Sequence, residues 1–221
     1  MVPIAYSAGY NVTAFGLERL HPFDGRKYGR IRDWLVRQGL RKPDDFVAPT
    51  PATDQDLLRV HTADYLNSLR QRRVLARILE VPLLAFLPAW LARWRVLRPM
   101  RLATGGTVLA CRLALEHGLA INLSGGYHHA GPARGGGFCA FADVPVALAA
   151  LRSEGLVESV LVVDTDAHQG NGTADAIRAW SWAHILDLFE KDIFPWPKVD
   201  EDVAVPLASW TTGEEYLTEL S

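Results

Sequence analysis

The sequence has few cysteines, little net charge and no long uninterrupted apolar run, and each shortage excludes a class of protein. Two cysteines, Cys111 and Cys139, are too few for a disulfide framework, so we expect a reducing compartment: the cytoplasm, or the nucleus in a eukaryote. A net charge of −2 provides no basic field that would indicate direct nucleic-acid binding. The 221 residues, 49% of them hydrophobic, are enough for one globular domain with a good core.

The most apolar segment, Ile78–Trp94, is interrupted by charged residues and prolines. Its uninterrupted apolar part is too short to cross a bilayer, so we expect a loop and a helix packed on the body and no membrane span. The neighbouring segment 68–77, SLRQRRVLAR, has a basic face, which we interpret as a solvated helix surface rather than a partner site. Residues 1–11 lack a basic stretch followed by an apolar run, so we expect no secretory signal.

The strongest chemical signal is in the segment 162–172, VVDTDAHQGNG. An apolar run enters it and a Gly/Asn-rich turn leaves it, which predicts a buried parallel strand that ends in a loop. Because side chains alternate along an extended segment, we expect Asp164, Asp166 and His168 on one side, at the carboxyl end of the strand, where open α/β sheets place their chemistry. Carboxylate oxygen and imidazole nitrogen suit zinc or a similar divalent metal. The bland alternative is a strand end whose acids cap the next helix.

A second motif lies upstream, in the segment 125–139, GGYHHAGPARGGGFC. It follows another strand-like apolar run. On a glycine-rich loop the adjacent His128 and His129 can both turn toward one cavity, because glycine permits backbone angles that other residues avoid. Histidine is the natural proton shuttle near neutral pH. Alone, such a pair is more often a surface loop, but the second acid and histidine cluster downstream favours catalysis.

Together these residues resemble the histone deacetylase family, and within it the class IV type. The resemblance rests on ordered blocks: YSAGYN (6–11), GLERLHPFDGRKYGRI (16–31), VHTADYLNSL (60–69), VLRPMRLATGGTVLA (96–110), the histidine pair, GGGFCAFAD (135–143) and DTDAHQGNG (164–172). It implies the arginase/deacetylase fold, a three-layer α/β domain with a central parallel sheet. It also implies a zinc-dependent hydrolase that removes the acyl group of N6-acyl-lysine in a protein or peptide.

The resemblance gives each motif residue a role. Asp166 and His168 would hold one zinc ion (Zn2+). His128 would be the general base, paired with Asp164, and His129 the general acid, paired with Asn171. Because a carboxylate stabilises imidazolium more than an amide does, the two histidines should differ in basicity. The acyl-lysine channel would be formed by Gly136, Gly137, Phe138 and Phe194. A monovalent cation such as potassium (K+) would use Asp187 and Leu188 with the backbone of Asp164, Asp166 and His168.

One departure from the family pattern concerns the end of the sequence. The family's third metal ligand, an aspartate, and the tyrosine that steadies the oxyanion would both lie beyond Ser221. We therefore expect residues 1–221 to be a single domain that is incomplete at its C-terminus, with C-terminal strands missing and weak or no activity in this chain. We expect Cys139 to be a buried packing thiol, and His21 and His61 to serve packing or capping.

Two other functions stay open. The first is a different amidohydrolase of the same fold: an acetylpolyamine amidohydrolase, or a ureohydrolase with two manganese ions. The ureohydrolases also carry an Asp-Ala-His step but follow it with a carboxylate for the second metal, whereas Gln169 and Gly170 follow His168 here. The second is a non-catalytic remnant, which only the absent C-terminal ligands favour.

The periodicity of the sequence predicts alternating helices and strands, and hence a parallel sheet with helices on both faces. The predicted helices are 28–38, 54–69, 104–117, 143–154, 173–179 and one beginning near Gly213. The predicted strands are 119–123, 160–164 and 184–188.

Overall fold

The computed structural model of the protein describes residues 1–12 and 24–220. His21 and the block from residue 16 to residue 23 lie outside the described residues. The α-helices of the described chain are α1 Lys27–Arg37, α2 Asp54–Leu58, α3 Ala63–Ser68, α4 Arg72–Ile78, α5 Ala89–Ala92, α6 Arg98–His117, α7 Asp143–Ser153, α8 Asn171–Ile177 and α9 Gly213–Leu220. Short 3₁₀ segments lie at Ala8–Tyr10 and Pro82–Phe86, and a π-helical turn spans Arg93–Leu97.

Every strand pair in the described chain is parallel. The strands are β1 Ile4–Ala5, β2 Phe46–Val47, β3 Ile121–Asn122, β4 Val160–Asp164, β5 Ala183–Glu190 and β6 Val203–Leu207. The predicted α/β class with parallel strands is confirmed. The strands form two three-stranded sheets, in the orders β2–β1–β3 and β4–β5–β6, where the sequence predicts one central sheet. No described ladder joins β3 to β4, and the predicted strand 119–123 is reduced to two residues.

The register between β4 and β5 positions the candidate site. Asp164, the last residue of β4, lies directly opposite Asp187 of β5. Parallel strands place both residues at the same edge of the sheet, the edge where their carboxyl ends meet. The predicted strand 160–164 is found as expected, and β5 is longer than predicted at both ends.

The predicted helix 54–69 is divided into α2 and α3. The break exists because the backbone N–H of Thr62 donates to the carbonyl of Pro132, 2.9 Å away, instead of to a helical carbonyl. The Thr62 hydroxyl then caps α3 by accepting from the N–H of Tyr65 at 3.2 Å. Next to this break, buried His61 accepts a 3.0 Å hydrogen bond from the Ala142 N–H. This contact gives His61 the structural role expected from the sequence.

Helix α6 begins at Arg98 rather than at Thr104, because Pro99 is compatible with a first helical turn. The helix ends at His117, and the following Gly118 has a φ of 80°, the left-handed conformation common after helix C-termini. Helices α5 and α6 and the π-helical turn between them form one uninterrupted helical run over residues 89–117. The apolar segment Ile78–Trp94 is thus divided among short helices, and no helix among the described residues is long and apolar enough to cross a membrane.

Candidate active site

The loop that carries the histidine pair is fixed by a buried carboxylate at the start of α7. Asp143 accepts hydrogen bonds from the N–H groups of Gly126 (3.0 Å) and Tyr127 (2.7 Å) and from the Thr107 hydroxyl (2.6 Å). Burial raises the pKa of Asp143, and the same hydrogen bonds partly offset that effect. The turn immediately before His128 is therefore fixed by hydrogen bonds to a buried carboxylate.

Glycine is required for this close approach. Gly125 has a φ of 102°, and a Cβ atom there would lie 2.4 Å from Asp143 Oδ2. The network continues from Thr107 through Asn122, whose amide donates to the Thr107 hydroxyl at 3.0 Å. It ends at Tyr10, whose hydroxyl donates to Asn122 Oδ1 at 2.9 Å. This hydrogen-bond network cannot be recognised from the sequence, because its members are far apart in the chain.

The loop that follows β4 has a different backbone conformation from the extended one predicted. The strand ends at Asp164, so Asp166 and His168 lie in a series of bends rather than on an extended segment. The Asp166 N–H donates to Asp164 Oδ1 at 3.0 Å, and the His168 N–H donates to Asp166 Oδ1 at 2.8 Å. These two side-chain-to-backbone turns, typical of aspartate, bring the three side chains together.

The first histidine of the pair contacts Asp164. His128 Nδ1 lies 2.8 Å from Asp164 Oδ2, and both side chains are largely shielded from solvent. Burial is the largest influence on the pKa of His128 and lowers it, but the hydrogen bond and charge of Asp164, with the charges of Asp166 and Asp187, leave the pKa raised. The site therefore stabilises the imidazolium form of His128.

The second histidine contacts an amide. His129 Nδ1 lies 2.9 Å from Oδ1 of Asn171, and Asn171 is the first residue of α8. Burial and the neighbouring His128 lower the pKa of His129 to about 4, so this ring is neutral at pH 7. Because an amide oxygen only accepts, Nδ1 carries the hydrogen and Nε2 keeps a free lone pair. The two ring centroids are 4.1 Å apart, yet their environments shift the two pKa values in opposite directions.

The Asp166 carboxylate and the His168 imidazole converge beside this pair. His168 Nδ1 lies 3.0 Å from Asp166 Oδ1, and His128 Nε2 lies 4.0 Å from the same oxygen. Asp166 and His168 are about half exposed, which leaves room for further ligands. Burial raises the pKa of Asp166, but hydrogen bonds from His168 and the charge of His128 outweigh it, so the pKa is lowered and the carboxylate stays ionised. Within residues 1–12 and 24–220, no group of three or more His, Cys, Asp or Glu side chains is arranged to hold a metal.

Aromatic and glycine residues border the site. The Phe194 ring lies 4.9 Å from that of His129 and 6.4 Å from that of His168, centroid to centroid. Gly137 has a φ of 49°, and a Cβ atom there would lie 2.3 Å from His129 Cδ2. The N–H of Phe138 donates to the Ile78 carbonyl at 3.0 Å, which anchors that loop on α4. Phe194 thus lies against the histidines, whereas the Phe138 ring as a channel wall stays a prediction.

Cys139 lies beside this loop and is buried. Burial raises the pKa of its thiol to about 12, so the thiol stays protonated at neutral pH. This agrees with the expected packing role.

A buried acidic group lies beneath the histidines. Asp187 Oδ2 accepts a 2.6 Å hydrogen bond from the Gly170 N–H, while its buried Oδ1 accepts no hydrogen bond from an N–H or hydroxyl group of the described chain and the Glu201 carboxyl lies against Asp187. Burial, together with the charges of Asp164 and Glu201, raises the pKa of Asp187 to about 8. Glu201 was not identified from the sequence. It reaches this position because the Gln169 side chain hydrogen-bonds both the N–H and the carbonyl of Val199, which fixes the following loop.

The sequence of the chain was compared with those of known proteins. Residues 21–219 match the family model described as "Histone deacetylase domain". The chain is 43% identical to "Histone deacetylase 2" of Arabidopsis thaliana, over 99% of this chain and 57% of that protein. It is 27% identical to "Acetoin utilization protein AcuC" of Staphylococcus aureus, over 89% of this chain and 54% of that protein. The chain therefore spans little more than half the length of these relatives.

A solved structure has the same fold. The crystal structure of a histone deacetylase homologue from Aquifex aeolicus matches with a TM-score of 0.75 and 24% sequence identity, over 99% of this chain and 62% of that one.

Proposed function

The chain belongs to the histone deacetylase domain family, and from that premise we propose that it is a zinc-dependent deacylase that hydrolyses the amide of N6-acyl-lysine. Its fold is the α/β arginase/deacetylase fold. The observation that carries the proposal is the convergence of a carboxylate and an imidazole, 3.0 Å apart, beside two histidines with opposite pKa shifts. The ordered sequence blocks support the class IV type.

We propose Asp166 and His168 as the zinc ligands. Their two donor atoms are already close together, and the low pKa of Asp166 suits a group that must bind as the anion. A zinc ion held there would polarise the acyl carbonyl and acidify the attacking water. Catalytic zinc sites usually use three protein ligands, so a further ligand would complete this pair.

The pKa shifts support a division of roles opposite to the one that the resemblance suggests. A general base must be unprotonated at rest, and a general acid must be protonated. His129, whose pKa is lowered to about 4, is neutral at pH 7 and keeps its Nε2 lone pair, whereas Asp164 raises the pKa of His128. We therefore propose that His129 accepts the proton of the attacking water and that His128 donates a proton to the leaving amine.

The substrate channel is the second part of the proposal. Phe194 packs against the ring of His129, and we propose that Gly136 and Gly137, which carry no side chain, let the backbone approach the substrate closely. Phe138 would provide the opposite apolar wall. A narrow apolar channel of this kind suits the four methylene groups of acyl-lysine.

A monovalent cation such as K+ would fit the acidic group beneath the site. The orphaned, buried Asp187 Oδ1 supports this, because a cation would satisfy it. The backbone carbonyls of Asp164, Asp166, His168 and Leu188 would supply the remaining oxygens.

The structure favours a single divalent metal over a ureohydrolase pair. Gln169, which follows His168, is fully buried and directs its amide to the backbone of Val199 rather than into the site. No carboxylate is therefore present at that position for a second metal. An acetylated polyamine stays the alternative substrate.

Hydrolysis assays of the purified, zinc-supplemented enzyme, in a full-length form with a complete metal site, test the proposal. An acetyl-lysine peptide should be hydrolysed, and arginine should release no urea. His129→Ala should lower turnover by about 10²–10⁴-fold, whereas His117→Ala, on an exposed helix end, should not. Acetylpolyamine hydrolysis without peptide hydrolysis would assign the alternative substrate. Urea release, or no loss in His129→Ala, would contradict the proposed chemistry.

A further inference from the structure

A groove outside the candidate active site combines exposed tryptophans with unpaired arginines. It lies between α2 and α3 on one side and the helical run 89–117 on the other, and it encloses about 610 Å³. None of the proposed catalytic, metal-binding or channel residues lines it. We name it the Arg/Trp groove and define it by Arg70, Trp90, Arg93, Trp94 and Arg98.

One wall is a single helix face. Its members Trp90, Arg93, Trp94, Leu97 and Arg98 recur at intervals of three and four residues, the spacing that aligns side chains on one side of a helix. The π-helical turn Arg93–Leu97 lies in the middle of this wall. Such turns are rare and often mark functional positions.

The floor of the groove is apolar. Leu57, Leu69 and Phe141 lie beneath it and are 1%, 3% and 4% exposed. Above them Trp90 and Trp94 remain 62% and 48% exposed. Tryptophan side chains contribute large binding energies when a partner buries them, so two exposed tryptophan rings above an apolar floor indicate a binding surface.

The rim carries uncompensated positive charge. Arg101 is paired with Asp54, but Arg70, Arg93 and Arg98 are exposed and form no ion pair within the described residues. The chain as a whole has a net charge of −2, so this local concentration of cations is not a general property of its surface. Arg70 belongs to the basic segment 68–77, which the sequence analysis interprets as merely solvated.

We propose that the Arg/Trp groove binds an acidic amphipathic helix of a partner protein. Apolar side chains at positions i, i+3 or i+4, and i+7 of that helix would lie between the tryptophans on the apolar floor. Glutamate or aspartate on its flanks would pair with Arg70, Arg93 and Arg98. The apolar floor favours a peptide over a nucleic acid, whose phosphates would gain nothing from it.

A binding assay with a designed probe tests the proposal. The probe is a fluorescein-labelled helical peptide of about 14 residues, with leucine along one face and glutamate on both flanks. Two matched peptides replace either every glutamate with glutamine or every leucine with serine. The acidic amphipathic peptide should bind, with an affinity that falls as salt rises, and each matched peptide should bind at least about fivefold more weakly.

Variants of the protein locate the binding. Arg93→Glu, Arg98→Glu and Trp94→Ala should each weaken binding of the acidic peptide by at least about fivefold. Arg72→Glu is the matched control, because Arg72 is exposed, follows Arg70 by two residues in the chain and does not line the groove. It should change binding by less than about twofold, and circular dichroism should show that all four variants stay folded.

Three outcomes overturn the proposal: no binding of the acidic peptide, equal binding of the glutamine peptide, or equal loss in the Arg72 control. A single-stranded oligonucleotide that displaces the peptide and binds more tightly would assign the groove to nucleic acid instead.

Discussion

Replacing Asp164 with asparagine tests the electrostatics of the histidine pair without measuring turnover. Asp164 Oδ2 lies 2.8 Å from His128 Nδ1, and the two side chains are 14% and 11% exposed. Asparagine keeps the size and an acceptor but removes the charge that overcomes the effect of burial. The pKa of His128 should therefore fall. A hydrogen bond to a charged group is worth roughly 1.5–3 kcal/mol, so the imidazolium form should lose stabilisation of that order.

The assay is an NMR titration of the histidine ring signals in metal-free protein. Asp202→Asn is the control, because Asp202 contacts exposed His184 at 3.3 Å and should leave His128 unchanged. A histidine whose pKa is raised in the folded state contributes to stability at pH values below its unfolded-state pKa of about 6.5. That contribution is lost as the pH rises through the folded-state pKa. Asp164→Asn should therefore destabilise the protein most below about pH 6. An unchanged His128 pKa in this variant, or a wild-type His128 whose pKa is not above the ordinary histidine value of about 6.5, would contradict this prediction.

Further predictions concern pH, backbone space and acid stability. Acyl-lysine hydrolysis should decline as pH rises through the raised pKa of His128, whereas a rate that increases there would return the general-base role to His128. Gly137→Ala should lower the free energy of unfolding, measured by thermal denaturation, by about 1–3 kcal/mol, because the new Cβ atom would lie 2.3 Å from the His129 ring. Gly136→Ala is the control: no atom lies within 4 Å of the Cβ position there, so the change should cost less than about 1 kcal/mol. Burial lowers the pKa of His61 to about 4, so the free energy of unfolding should fall as the pH drops from about 6.5 to 4. Glutamine cannot be protonated in this range, so urea unfolding of His61→Gln should show a decrease that is smaller by up to about 3 kcal/mol.

Local sequence signals predicted the elements that are long or chemically distinctive. The strand 160–164 and the helices near 28–38 and 143–154 were predicted within a residue or two, because their apolar periodicity is continuous. The short strands β1 and β2 were missed, since two residues carry no periodicity. Strand β6 was missed because it contains Pro206, which cannot donate a backbone hydrogen bond and so weakens the strand pattern.

The site was predicted in part for the same reason. The two motifs were recognised because their chemical groups are adjacent in sequence. The contacts that tune them join residues far apart in the chain, as in the pairing of Asp164 with Asp187 and of Gln169 with Val199. Glu201 belongs to a polar stretch with no local pattern, so only the folded chain reveals its place beneath the histidines.

Zinc affinity is the most direct test of the claim that Asp166 and His168 hold the metal while the histidine pair transfers protons. Competition with a chromophoric chelator would measure it for the wild-type protein, His168→Ala and His129→Ala. We expect one zinc per wild-type chain, a loss of affinity of at least about 10-fold in His168→Ala, and a change of less than about threefold in His129→Ala. Zinc retained by His168→Ala with unchanged affinity, or lost equally from His129→Ala, would contradict it.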